Sequence, residues 1–252
     1  MKYVLKALCG VLLALLFVIT ATASDTDKQK KGEKEKSPPQ KTTQKKNNPP
    51  IYKPPLRGAP AGRVAGGTRG MDQEIPYLCL IVPEHIGLTI SPQPVLYFYQ
   101  SRLSPYPIEF TLIRKQGITP VVETRIDPPE KPGIQSVRLT DFGSRLEAGI
   151  QYKWFIALVP DPMHRSKDIL AAGAIELIPE PEKIKDRLSQ AEASEIPYIY
   201  AEAGLWYDAF HSLSSQIETS PDDMDLKSHR ASLLEQIGLE QVTDSNMTGN
   251  QD

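Results

Sequence analysis

The chain has 252 residues, 40% of them hydrophobic, so it can bury a substantial core, and its 23 prolines argue against an all-helical protein. Twenty-nine Lys and Arg stand against 31 Asp and Glu for a net charge of -2, yet residues 28–46 are strongly basic and the chain beyond Pro179 is acidic. A basic stretch with no interleaved aromatics is a solvated spacer, so no nucleic-acid partner is expected.

Lys2 and Lys6 precede an apolar run at residues 11–19, and Ala21-Thr22-Ala23 stands before Ser24. Charge, apolar stretch and small residues in that order mark a secretory signal over residues 1–23. The apolar run is shorter than the about 20 residues a spanning helix needs. An exported protein, periplasmic or extracellular, is the expectation, with the signal either cleaved or kept as an anchor. Disulfides persist in such oxidising compartments. Cys9 lies within the signal, which leaves Cys79 alone in the apolar run at residues 77–82. No basic neighbour adjoins Cys79 to lower its pKa, so it is expected to be a buried core thiol.

Residues 24–70 form a Lys-, Pro- and Gly-rich stretch with the doublets Pro38-Pro39, Pro49-Pro50 and Pro54-Pro55. Such a segment buries too little apolar surface to offset its ordering entropy and is expected to be a disordered linker. Two alternatives stand beside that reading: a Pro-rich recognition segment centred on Ile51-Tyr52-Lys53-Pro54-Pro55, and a weak attraction of the lysines to cell-wall polymer or a membrane surface. The run Arg63-Val64-Ala65-Gly66-Gly67-Thr68-Arg69-Gly70 lacks the Gly-Lys-Ser/Thr of a phosphate loop and is expected to be a flexible connection.

Over residues 71–180 short β-runs alternate with turn residues, which predicts a β-sandwich. Candidate strands are 77–82, 88–90, 95–99, 108–114, 121–126, 135–139, 150–159 and 169–178. Breakers such as Pro83, Pro92-Gln93-Pro94 and Asp127-Pro128-Pro129 leave no room for crossover helices, so a parallel α/β fold is excluded. The expected class is mainly β with C-terminal α: an antiparallel sandwich resembling fibronectin type III and immunoglobulin domains. Leu146, Gly149 and Tyr152 have the spacing at which a chain crosses one end of such a sandwich, turns at a Gly, and returns a Tyr hydroxyl to the crossing backbone. Phe155, Ala157 and Val159 make the second face of one strand apolar, and Val95, Tyr97 and Tyr99 oppose Leu96 and Phe98 on another. Something must cover those second faces, either the C-terminal helices or a partner protein.

Residues 161–168 hold the densest set of chemically capable side chains. Asp161, His164, Arg165 and Asp168 are candidate binding residues, because loops at sandwich ends commonly carry recognition. No Cys or second His joins them at a ligand spacing, so no metal, cofactor or catalytic role is assigned.

Residues 181–241 read as helical. Pro181-Glu182 opens a polar helix to about Ala193, Ile196-Pro197 starts a second, and Ser220-Pro221 caps and starts a third. The run Gly204-Leu205-Trp206-Tyr207-Asp208-Ala209 resembles the first helix of a tetratricopeptide pair, and Trp206, Tyr207 and Asp208 join the candidate binding residues. One helix pair cannot bury its own apolar face, so it must dock on the sandwich. His85, His211 and His229 are expected to be structural, and Asp222, Asp223 and Asp225 to be helix N-terminal charge. No Gly-x-Ser-x-Gly, Ser-x-x-Lys or His-Glu-x-x-His motif occurs. Residues 242–252, with the acceptor-like Asn246-Met247-Thr248, are expected to be a disordered tail.

Several runs together resemble a bacterial family of exported proteins catalogued as domain of unknown function 928. They are Gly66-Gly67-Thr68-Arg69-Gly70, Leu80-Ile81-Val82-Pro83-Glu84, Gly87-Leu88-Thr89, Tyr152-Lys153-Trp154, Asp161-Pro162 with Arg165-Ser166 and Asp168, Gly204-Leu205-Trp206-Tyr207-Asp208-Ala209, and Leu233-Leu234 with Gly238-Leu239. The resemblance implies a signal-bearing protein with a β-rich region followed by short helices, and no activity. The family pattern has a Cys just before the Asp-Pro loop where this chain has Val159, so no disulfide is expected there. The expected function is non-enzymatic binding or scaffolding in the periplasm or at the cell surface, with an envelope protein as partner. The alternative is an envelope hydrolase or carbohydrate-processing accessory built on residues 161–168, which requires a deep pocket joining that loop to Asp208 or Glu202.

Overall fold

Alternating apolar residues punctuated by Pro and Gly do form strands here, because each side chain turned inward is followed by one turned to solvent. The structure, a computed structural model, describes residues 48–55, 63 and 75–242. The expected signal, residues 24–47 of the linker, the glycine run at residues 66–70 and the tail from residue 243 lie outside the described residues. Eight strands follow one another: β1 (Leu78–Leu80), β2 (Gly87–Thr89), β3 (Val95–Gln100), β4 (Ile108–Arg114), β5 (Pro120–Ile126), β6 (Gly133–Arg138), β7 (Gln151–Leu158) and β8 (Ile169–Leu177). Each lies within two residues of its expected bounds.

They make two sheets, one ordered β1-β3-β6 and the other β2-β8-β7-β4-β5. Ile108, Phe110 and Leu112 of β4 are buried, while Glu109, Thr111 and Ile113 between them are half-buried on the outer side. Register places Phe110 opposite Ile156 and Leu112 opposite Trp154, so the inward faces of β4 and β7 coincide. One pair departs from the antiparallel expectation. Pro83 interrupts the ladder after β1, the chain passes to the other sheet, and there β2 pairs parallel to β8. At the far end of the sandwich Gly149 takes a φ of +76°, closed to most side chains, and the Glu147 N–H donates to the Tyr152 hydroxyl at 3.1 Å.

Among the described residues four α-helices follow: α1 (Glu182–Gln190), α2 (Ile196–Glu202), α3 (Trp206–Thr219) and α4 (Met224–Gln236). The helix expected from Ile196 is broken in two, because Gly204 adopts a φ of +75° and turns the chain between α2 and α3. The cap of α4 is Asp223 rather than Ser220. Its carboxylate accepts from the N–H groups of Asp225 at 3.0 Å and Leu226 at 3.1 Å, the reach that an N-cap requires. Trp206, Ala209, Phe210, Leu213 and Ile217 form one buried stripe on α3 at helical spacing.

That stripe packs chiefly on β2 and β3. Tyr97 meets Phe210 edge-on at 5.1 Å between ring centres, and its hydroxyl lies 2.8 Å from Nδ1 of His211. The second face of β3 is therefore covered by helices as expected. On the second face of β7, Ala157 and Val159 are buried, whereas Phe155 stays half-buried beside the exposed Lys153. One buried cluster runs from Leu80 and Trp154 through Trp206 to Leu233, and the described residues fall within a single compact unit. Cys79 lies in that core with its thiol pushed up to about 11 by burial.

Residues 48–55, within the stretch read as a linker, lie against α2 and α4 with Tyr52 buried. Among the described residues no helix is long and apolar enough to cross a membrane.

Candidate functional site

The seven candidate residues divide into two groups, one at the joint between helices and sandwich and one in the loop between β7 and β8. At the joint, Trp206 is fully buried and its indole N–H donates to Ile81 O at 2.9 Å. Tyr207, also buried, donates its hydroxyl to Ala174 O at 3.1 Å and accepts from the Trp154 indole N–H at 3.0 Å. Its ring lies on Gly87, where an added Cβ would sit 2.6 Å from Cε2, so the strand approaches the helix closely only because residue 87 has no side chain. Desolvation raises the Tyr207 hydroxyl far above the ordinary phenol range.

Asp208 sits in the first turn of α3, where a negative charge is favoured. Its Oδ2 accepts from the Ile90 N–H and its Oδ1 from the Thr89 hydroxyl, each at 3.2 Å. Burial of the carboxylate outweighs those bonds and pushes it up to about 7. The three residues do come together, but in the interior. Their polar groups are spent on fixing α3 to β2, β7 and β8.

The loop group is arranged differently. Asp161 Oδ2 lies 2.6 Å from His164 Nδ1 and 3.1 Å from Lys167 Nζ, while Oδ1 accepts from the Met163 N–H at 3.0 Å. Lys167 first, then His164, holds the Asp161 carboxyl below the usual carboxylate range. Arg165 points the other way. It donates through Nη2 to Glu109 Oε2 at 2.6 Å and through Nε to Asp168 Oδ2 at 2.8 Å. Asp168 Oδ1 is buried without a hydrogen-bond partner. One ion-pair cluster closes the loop on itself and the other ties it to β4, and Asp161 and Asp168 fall in different ones.

Glu109 is the member that the sequence reading missed. It lies 56 residues from Arg165 along the chain, and its only local signal is a carboxylate at an outward position of a strongly alternating strand. The Arg165 hydrogen bond and charge hold Glu109 below its ordinary value, with Arg125 adding to them. Beside the loop, the outer face of the five-stranded sheet carries half-buried Phe155 and Ile113 with Leu170 40% exposed, and Met163 at the loop tip is 86% exposed.

Among the described residues, clefts open elsewhere, three of them well defined. One lies between the free edges of β5 and β6, lined by Arg125, Asp127, Gln135 and Phe142. A second lies at the Gly149 turn, and a third around Tyr52, His85 and Gln236. Neither the loop residues nor Asp208 nor Glu202 line any of the three. Among the described residues no group of three or more His, Cys, Asp or Glu side chains is placed to hold a metal ion.

The model of the family described as Domain of Unknown Function (DUF928) matches residues 64–247. No curated protein and no solved structure matches the chain.

Proposed function

The chain belongs to the DUF928 family, whose description names no activity, and from that premise we propose that it is a non-enzymatic binding or scaffolding protein exported to the periplasm or surface of a bacterium. The observation that carries this reading is the part of the five-stranded sheet's outer face that stays open to solvent beside the loop between β7 and β8. Phe155, Leu170 and Met163 expose apolar surface there, next to a loop whose charged groups are already paired with one another. Paired charges around an apolar centre suit a docking surface, in which a polar rim surrounds a few anchors. Catalysis instead wants convergent groups in a concave site.

The order β2-β8-β7-β4-β5 against β1-β3-β6, with the Tyr152 hydroxyl returned to Glu147, supports an immunoglobulin-like or fibronectin type III-like sandwich. The turn at Gly204 and the α3–α4 pair support a tetratricopeptide-like cap. Both architectures commonly present surfaces, which is an argument by association. The charged, apolar and small-residue order of residues 1–23 supports export.

A photo-crosslinking side chain at position 163, expressed in the intact envelope, tests the reading. A discrete adduct that disappears when Leu170→Glu is added is the expected result. Adducts no stronger than those from the exposed Lys131, on another part of the surface, would refute it.

A further inference from the structure

The run Pro49-Pro50-Ile51-Tyr52-Lys53-Pro54-Pro55 contains four prolines, which fix their own φ near -65° and offer no N–H. Such a segment is extended before it meets anything and has few backbone groups to satisfy. The helical region meets those groups individually. The Gln236 carboxamide donates from Nε2 to Pro50 O at 2.9 Å and accepts on Oε1 from the Tyr52 N–H at 2.8 Å, so a single side chain reads two backbone positions. The Lys53 N–H donates to Ala201 O at 3.0 Å near the end of α2, and the Tyr198 hydroxyl donates to Asn48 O at 3.0 Å.

Between these bonds one side chain is swallowed whole. Tyr52 stacks on His85 with ring centres 5.9 Å apart and planes 8° from parallel, and it meets Trp206 edge-on at 5.1 Å. Its hydroxyl is 2.8 Å from Nε2 of His85. The neighbouring Ile51 is 68% exposed, so the groove takes the aromatic residue and ignores the aliphatic one. Gly204 leaves room for the segment: a Cβ there would lie 2.7 Å from Lys53 O.

An aromatic-lined slot, a carboxamide bonded to the backbone on both sides of one residue, and a proline-stiffened segment are the parts from which recognition of extended proline-rich peptides is assembled. We propose that the groove between α2, α4 and the loop after β1 is a binding site for an extended Pro-Pro-x-Tyr peptide, and that its ligand is the chain's own segment of residues 48–55. On this proposal the segment is a separable ligand whose Tyr52 completes the buried cluster beside Trp206. While it stays attached, a short tether keeps its effective concentration in the mM range, so the groove is closed to peptide in solution. This site is distinct from the outer sheet face and does not depend on it.

The test opens the tether. A protease-cleavage sequence placed within residues 56–62 of the full chain cuts the segment from the body and leaves every contact named above unaltered. A labelled peptide of residues 48–55 should then bind the cut chain saturably and displace the cut segment, while the uncut chain takes up none. The same peptide with Tyr52→Ala should bind about 30-fold more weakly or worse, the loss expected of a central anchor. Gln236→Ala in the cut chain should weaken the Tyr peptide by about 5- to 10-fold, the size of a lost hydrogen-bond pair. A cut chain that still unfolds cooperatively yet binds no peptide would overturn the proposal, as would equal binding of the Tyr and Ala peptides. A cut chain that unfolds overturns it too, because the segment would then be structural and not a ligand.

Discussion

Asp208 and Asp161 carry the same functional group into opposite surroundings. At the joint, Asp208 meets only backbone N–H groups and a hydroxyl in a desolvated setting, and its pKa rises to about 7. In the loop, Asp161 meets Lys167 and His164 in water, and its pKa falls. A carboxylate without a counter-charge in the interior is held for its hydrogen-bond geometry; one among cations at the surface costs little to keep and fixes little. The aromatic residues beside Asp208 belong to the first class, and the loop charges belong to the second.

The comparison is broken most severely at Trp206. Trp206→Ala removes a fully buried indole and its bond to Ile81, and should cost about 3–5 kcal/mol, read as a fall in the denaturant midpoint of unfolding. The carboxylate itself gives a pH signature. Because the folded pKa of Asp208 is raised above the unfolded value near 3.8, the native state holds the proton more tightly. The stability that Asp208 contributes is then fully present below pH 4 and is lost as pH rises towards 7, by no more than ~1.4 kcal/mol per pH unit. Asp208→Asn should abolish that slope in melts collected from pH 4 to 8, and an unchanged slope would assign the shift to another group.

Tyr207→Phe keeps the ring against Gly87 but leaves the Trp154 indole N–H and Ala174 carbonyl without their partner. It should cost about 1–3 kcal/mol in the same unfolding assay. The smallest effect belongs to the loop. Arg165→Ala should leave the unfolding midpoint within replicate scatter while speeding amide hydrogen exchange over residues 161–168, since the side chain ties that loop to Glu109. A large loss of stability would place the loop in the same class as the joint.

The strands were legible because their signals are local. Ile108, Phe110 and Leu112 alternate with Glu109, Thr111 and Ile113 whatever the rest of the chain does, and the prolines that end each run act on their own neighbours. The Asp161–His164 pair was legible for the same reason, since one turn of chain brings residues three apart together. The Arg165–Glu109 bond was not, because it joins a loop to a strand 56 residues away that only the sheet brings near. Trp206, Tyr207 and Asp208 were conspicuous in sequence, but nothing local says whether an aromatic pair faces solvent or a strand. The strap at residues 48–55 was hidden by its composition: proline and lysine signal a linker, and only the groove beneath Tyr52 converts an extended segment into a docked one.

Composition and periodicity by themselves determined the strand-rich class, the switch to helices after Pro179 and the burial of Cys79, because each follows from how a residue partitions between water and its immediate neighbours. Tertiary structure alone decided which sheet face the helices cover, where β2 finds its partner and which polar groups lie in the interior. Those outcomes depend on apolar area summed over segments far apart in the chain, and on backbone donors whose partners are chosen only once the sheets have come together.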